Sequence, residues 1–191
     1  MKILTGRLRG QTILFKPNPH LRPTADKARK AVFDMLQGAL AGRSALDLFC
    51  GTGAMGLEAL SQDASHVTFV EHDREQCRRL EKNLQKLGLE TSAEIAQENV
   101  SEWLVRQGPG SGPFDFIFID PPYAAGLAEK TLKAVSAGGL LSPGGFAVLE
   151  CRIREDLPVI CGRLKVVREK RYGQTKILVY AARPESSEAL R

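Results

Sequence analysis

The chain reads as an α/β protein on a mostly parallel sheet with helices on both faces, and three observations predict it. From Ser44 onward, short apolar runs alternate strictly with helical stretches, and repeated β-α units of this kind build a parallel sheet. A glycine-rich turn, Cys50-Gly51-Thr52-Gly53-Ala54-Met55-Gly56, follows the first of those runs. The tetrapeptide Asp120-Pro121-Pro122-Tyr123 follows Phe114-Asp115-Phe116-Ile117-Phe118-Ile119, a run apolar enough to be a strand buried on both faces. In open α/β sheets, ligands bind where such strands end.

The elements follow in chain order. Residues 2–15 alternate around Gly6 and Gly10 and predict a short β-hairpin carrying Arg7 and Arg9. Pro17, Pro19 and Pro23 break the chain. From Thr24, read as the N-cap, to about Leu40 the apolar residues recur at helical spacing, and Gly42 ends that helix. Strands are then expected at Ala45 to Phe49, Val67 to Glu71, Ser92 to Ala96, Phe114 to Ile119 and Phe146 to Glu150. Between them, helices are expected at Ala54 to Ser61, Asp73 to Leu87, Val100 to Arg106 and Leu127 to Ala137, with Gly108 to Pro113 as a loop. Leu164 to Arg171 and Lys176 to Ala182 are strand-like runs joined by Tyr172-Gly173-Gln174-Thr175, which marks an antiparallel hairpin. From Arg183 the composition is that of a frayed tail.

A chain of 191 residues suits one main domain with a small appendage. The expected division is a basic N-terminal hairpin and helix over 1–43, the main domain over 44–182 and a tail over 183–191. Net charge is +5, but unevenly spread. Residues 1–43 carry nine Lys/Arg against two Asp/Glu, residues 44–162 ten against seventeen, and residues 163–182 six against one. Two basic segments flanking an acidic middle are the electrostatic footprint of nucleic-acid binding. Cys50, Cys77, Cys151 and Cys161 show no C-x-x-C pair and no histidine partner, so neither a metal site nor a disulfide framework is expected. The chain opens without an apolar leader and holds no run long enough to cross a bilayer, which points to a cytoplasmic protein.

Gly51, Gly53 and Gly56 satisfy G-x-G-x-x-G in a strand-to-helix setting, and Glu71 ends the next strand. Turn glycines let a ligand approach the backbone, and the acidic side chain can grip a ribose hydroxyl pair. A dinucleotide and S-adenosylmethionine both fit that much. Asp47 separates them: a carboxylate ahead of the turn repels a pyrophosphate but favours a ligand bearing a sulfonium and an ammonium group. The same carboxylate could instead cap the amides of the glycine turn. Asp73 reads as the N-cap of the following helix. Asn99, after the third strand, could read an adenine edge or cap the next helix.

At Asp120-Pro121-Pro122-Tyr123 two prolines fix φ and remove two backbone donors, leaving carbonyl oxygens and one carboxylate as acceptors. Such a corner suits a substrate that donates hydrogen bonds, such as the exocyclic amine of a nucleobase. Tyr123 offers a ring on which a base could stack, or packs within the protein.

These residues together resemble the RsmD-type methyltransferases, which modify the N2 amine of a guanine in 16S ribosomal RNA. The likeness runs from Ile3 to Ala182. It rests on Gly6-Arg7-Leu8-Arg9-Gly10, Leu21-Arg22-Pro23-Thr24-Ala25-Asp26-Lys27-Ala28-Arg29-Lys30-Ala31-Val32-Phe33, Leu46 to Leu60, Asp120-Pro121-Pro122-Tyr123 and Tyr172-Gly173-Gln174-Thr175. The resemblance implies a Rossmann-like class I S-adenosylmethionine-dependent methyltransferase with a seven-stranded sheet in the order 3-2-1-4-5-7-6. It implies Asp120, Pro121, Pro122 and Tyr123 as the catalytic corner. Arg22, Thr24, Asp47, Gly51, Gly53, Glu71 and Asn99 would bind the cofactor, with Arg22 and Thr24 at its methionine end. Arg7, Arg9, Lys16, Arg22, Arg168, Lys170 and Arg171 would meet phosphates. The expected partner is 16S rRNA within a small-subunit assembly particle, met by a monomer without a metal. Lys27, Lys30, Cys50 and Asn99 depart mildly from the family pattern. Competing readings are an N6-adenine DNA methyltransferase, a protein glutamine methyltransferase, a nicotinamide oxidoreductase and a non-catalytic RNA-binding protein.

Overall fold

The structure, a computed structural model, describes residues 1–15, 23–36, 38–107, 113–122 and 126–183. Lys16, Pro17, Pro19, Arg22, most of the loop 108–113, Tyr123 and the tail from Pro184 lie outside the described residues.

Residues 1–15 fold back as expected, but the hairpin reduces to one antiparallel bridge, Lys2 with Thr12. Gly6 and Gly10 take φ of 70° and 88°, so the segment turns twice within a few residues and no ladder can run. Helix α1 spans Pro23–Met35. Proline at the first helical position loses no hydrogen bond, so the helix starts one residue earlier than expected and Thr24 lies within its first turn, not at an N-cap. It ends at Met35 and not near Leu40, short of Gly38, whose φ of 78° no right-handed helix admits.

Alternation then proceeds through β1 (Ser44–Leu48), α2 (Ala54–Ser61), β2 (His66–Glu71), α3 (Arg74–Leu87), β3 (Ala93–Gln97), α4 (Val100–Gln107), β4 (Phe114–Ile119) and α5 (Leu127–Ala137). The remainder is β5 (Leu141–Arg152), β6 (Ile160–Cys161), β7 (Leu164–Tyr172) and β8 (Thr175–Ala182). One eight-stranded sheet orders them β3-β2-β1-β4-β5-β8-β7-β6. The expected seven-stranded order is this one without β6, a two-residue edge strand pairing Cys161 with Leu164. Two residues are too few to show a period, which is why the pattern missed it. β5 also starts earlier than Phe146: Leu141 pairs with Phe114, the register slips, and Phe146 pairs with Phe116. Gly145 permits the slip, since a Cβ there would stand 2.7 Å from the Asp115 carbonyl oxygen.

Each face of the sheet has its own core. On the first, Phe33 of α1, Leu57 and Leu60 of α2 and Leu80 and Leu84 of α3 pack over Phe69, Phe116 and Phe118. Phe33 and Phe118 meet with ring centroids 5.5 Å apart. On the second, Trp103 of α4 and Leu132 and Val135 of α5 cover Leu46, Leu48, Ile117, Leu149 and Tyr180. Each fully buried Leu or Phe contributes about 1.5–3 kcal/mol, so the two cores fix the sheet whose edge carries the site. No described helix is long and apolar enough to cross a membrane.

Candidate active site

Four adjacent strands carry a carboxyl at or near their C-terminal ends on one face of the sheet. Side chains alternate along a strand. Ala45, Phe69, Phe118 and Val148 belong to the first core, so Asp47, Glu71, Asp120 and Glu150, each two residues further on, face the same side. In space they run Glu71 (β2), Asp47 (β1), Asp120 (after β4) and Glu150 (β5). Ile119 pairs with Leu149, which makes Asp120 and Glu150 the next neighbours across the β4–β5 edge.

Asp47 is buried at 2% exposure, and its Oδ2 accepts the Gly56 N–H at 2.9 Å. The expectation that it caps the glycine-turn amides is met: it braces the start of α2. Burial raises that carboxyl to about 7; the Gly56 bond works against the rise, and the nearby Asp120 and Glu71 add to it.

The loop itself is sharply turned. Phe49, Gly51 and Gly53 have φ of 60°, 51° and 73°, a conformation that costs a bulky residue such as Phe49 about 1–2 kcal/mol. Glycine is required at two positions for different reasons. A Cβ on Gly53 would lie 2.4 Å from Leu80 Cδ1, and one on Gly56 2.2 Å from the Phe69 ring. Gly51 differs, because a Cβ there meets only the Phe49 carbonyl oxygen at 3.9 Å and otherwise points into open space. That open flank, roofed by backbone and floored by carboxyls, fits a ligand that bears positive charge and lies close to the main chain.

Glu71, 7% exposed, accepts the Gly51 N–H on Oε2 at 2.9 Å and the Asp73 N–H on Oε1 at 2.8 Å. It ties the glycine loop to the end of β2. Asp73 caps α3 as expected, its Oδ1 accepting from Glu75 N and Gln76 N. Asn99 proves to be a cap as well: its Oδ1 accepts the Ser101 N–H at 2.9 Å at the start of α4, which leaves its Nδ2 as the group to offer.

Asp120, Pro121 and Pro122 leave β4 at the centre of this edge. Pro121 is buried, whereas Asp120 opens toward solvent although protein surrounds it closely. Desolvation by those surroundings raises the Asp120 carboxyl, and Glu150 is raised by its own burial and then by the charge of Asp120. Among the described residues, no group of three or more His, Cys, Asp or Glu side chains is placed to hold a metal ion.

Two functional elements escaped the sequence reading. Glu150 follows its apolar run as Asp120 follows the preceding one, and that parallel was the available signal. The other is a buried ion pair, Arg29 with Glu58, which seats the N-terminal segment. Glu58, 1% exposed, accepts from Leu4 N, Thr5 N and Thr5 Oγ1 and lies 3.3 Å from Arg29 Nε.

The described basic residues do not form one surface. Arg7 is paired with Asp63 at 3.0 Å, and Arg9 is exposed. Arg168 pairs across strands with Val179 and Lys170 with Ile177, both of the first core, so these two face the side of the carboxyls. Arg171 points to the opposite face and is held by Glu169 at 2.7 Å. The expected Arg168-Lys170-Arg171 cluster is thus split by the two-residue period of its strand.

Comparison with known proteins agrees with this architecture. The family described as "Conserved hypothetical protein 95" matches residues 1–181. The Escherichia coli (strain K12) protein named ribosomal RNA small subunit methyltransferase D is 33% identical over 180 residues, 94% of this chain and 89% of that protein. The solved structure of the Escherichia coli protein yhhF superposes with a TM-score of 0.86 at 32% identity, over 96% of this chain and 98% of that one. The Haemophilus influenzae protein HI0767 gives 0.80 at 28% identity, again over 96% and 98%. The fold is the Rossmann-like methyltransferase fold.

Proposed function

Because the chain belongs to the RsmD-type methyltransferase family, we propose that it transfers a methyl group from S-adenosylmethionine to the exocyclic N2 amine of a guanine in 16S rRNA. The observation that carries this reading is the row of carboxyls on one sheet face, with Asp120 and its two prolines next to the glycine loop.

The residues suit the cofactor. Glu71 takes the ribose hydroxyls, Asp47 sits beneath the positive charges, Gly51 and Gly53 present backbone, and Asn99 offers its Nδ2 to the adenine. Arg22 and Thr24 hold the methionine end. When bound, S-adenosylmethionine supplies an electrophilic methyl group. The chain's own task is the nucleophile. The N2 lone pair of guanine is delocalised into the ring and must be freed before it can attack. Asp120 and the Pro121 carbonyl accept the two amine hydrogens, aim the lone pair and stabilise the charge that grows on nitrogen. Pro122 stiffens the corner, and Tyr123 stacks on the base. A base inside a duplex cannot enter such a crevice without flipping, so an unpaired guanine is the target.

The test is transfer of tritiated methyl groups to isolated 16S RNA, to unmodified small subunits and to DNA, followed by mapping of the modified nucleotide. Incorporation at one guanine N2 is expected, and the better of the two RNA substrates shows whether an assembly particle is recognised. Incorporation into DNA adenine alone would overturn the reading.

A further inference from the structure

The guanine reading gives Asp120 a partner on the base but leaves Glu150 beside it with none. We propose that Glu150 is a specificity-determining residue that reads the N1–H and O6 edge of the target guanine while Asp120 holds the N2 amine. This rests on the methyl-transfer reading above.

Along its Watson–Crick edge guanine presents the N2 amine, then the N1–H donor, then the O6 acceptor. An ionised carboxylate only accepts, which suits the amine. The N1–H and O6 pair asks for an acceptor and a donor side by side, and an un-ionised carboxylic acid has both, in its C=O and its O–H. Strands lie about 4.8 Å apart, so neighbouring carboxyls on β4 and β5 can address neighbouring groups on one base. Adenine, with its amine held by Asp120, presents beside it only the N1 acceptor and then a C–H, so the carbonyl of the acid would face no donor.

Glu150 stands where it would keep its proton. It is half-buried, and its partner across β8 is the apolar Ile177. From β4 it faces Asp120, the charge that acts on it, with Asp47 of β1 and Glu71 of β2 farther along the same face. Arg152 follows two residues along β5, Lys170 of β7 lies on the same face beyond Ile177, and Arg29 of α1 is engaged with Glu58. Burial and Asp120 hold the carboxyl of Glu150 up to about 8.

The experiment compares wild type, Glu150→Gln and Glu150→Ala in methyl transfer to the RNA substrate across pH 8. A glutamine amide also carries a C=O and an N–H side by side, but cannot ionise. Wild-type kcat/KM should fall as the pH rises through about 8. Below about pH 8 Glu150→Ala should lose roughly 5- to 150-fold, the value of one bidentate base contact, and the gap to wild type should narrow as the pH rises past about 8. Glu150→Gln should recover most of that loss and show no alkaline decline. RNA carrying 2-aminopurine at the target, which keeps the amine but lacks N1–H and O6, should be a poor substrate for wild type, and Glu150→Ala should discriminate against it less. Carboxyl-carbon NMR of the free protein supplies a readout independent of activity: Glu150 should titrate well above the ordinary range and move down in Asp120→Asn. Equal defects in the Gln and Ala variants, a shared alkaline limb, or unchanged discrimination in Glu150→Ala would overturn the proposal. Absence of methyl transfer by wild type would remove the functional reading and this proposal with it, while the NMR titration still reports whether the two carboxyls are coupled.

Discussion

Arg29 of α1 and Glu58 of α2 form a buried ion pair, with Nε 3.3 Å from Oε1 and exposures of 8% and 1%. Glu58 also takes the backbone N–H groups of Leu4 and Thr5, so one carboxylate joins three segments that are distant in sequence. Removing one member leaves the other buried with only its remaining partners, Asp26 and the Lys2 carbonyl for Arg29 and the Leu4 and Thr5 amides for Glu58. Arg29→Met or Glu58→Ala should each cost about 3–5 kcal/mol in urea unfolding. The two losses together should be clearly less than additive, and additive losses would show that the pair is not coupled.

Asp120→Asn keeps the size of the side chain but offers a weaker acceptor and a donor. Turnover should fall roughly a hundredfold or more, corresponding to about 2–4 kcal/mol of barrier. Cofactor affinity measured by calorimetry should change little, because the loss falls on the amine. Unchanged turnover would remove Asp120 from the chemistry.

Two glycines of the same loop should fail in different ways. Gly56→Ala drives a methyl group into the Phe69 ring, so unfolding stability should drop by about 1–3 kcal/mol. Gly51→Ala meets open space and should cost only about 1 kcal/mol of backbone strain, while S-adenosylmethionine affinity falls tenfold or more. Equal effects of the two variants on affinity would argue against the open flank of Gly51 as the ligand's place.

The carboxyl of Asp47 is raised in the folded state, so the native protein holds a proton that the unfolded chain has released. Its contribution is therefore fully present below about pH 4 and is lost as pH rises toward about 7. Asp47→Asn keeps an acceptor for the Gly56 N–H without the charge. It should flatten the decline of stability between those pH values and be more stable than wild type at pH 8, by up to about 4 kcal/mol. Denaturant midpoints measured across that range decide it; a variant with the wild-type slope would mean that Asp47 ionises freely.

Arg168 and Lys170 share the face of the carboxyls, whereas Arg171 does not. Replacing the first two with alanine should reduce the slope of RNA affinity against salt by about 0.7–0.9 for each phosphate that is no longer neutralised. Arg171→Ala should leave that slope nearly unchanged. Equal effects would place the RNA across the strand edge and not on one face.

Most of the fold was legible because its period changes cleanly. α2, α5 and β4 match their expected bounds, since each has an unbroken apolar rhythm between glycine or proline signals. The failures have physical causes. β6 is too short for a period, α1 begins on a proline, and β5 extends across two glycines that read as a break. At the candidate site, position was legible for Asp47, Glu71 and Asp120, each at or beside the end of a strand that the apolar pattern marks. Glu150 carries the same signal but no motif drew attention to it. The Arg29–Glu58 pair spans a separation in sequence that no local pattern reports, and the basic residues of β7 looked clustered only because sequence proximity ignores which way a strand turns each side chain.

Helix α2 is eight residues long, a stiff rod of about 12 Å. Its first turn is tethered by Asp47 under the glycine loop, and Glu58 in its second turn is the seat of the N-terminal segment. The glycine loop and the N-terminal segment, far apart in sequence, are thus held by opposite turns of one short helix, and the position of each is referred to the same rigid element.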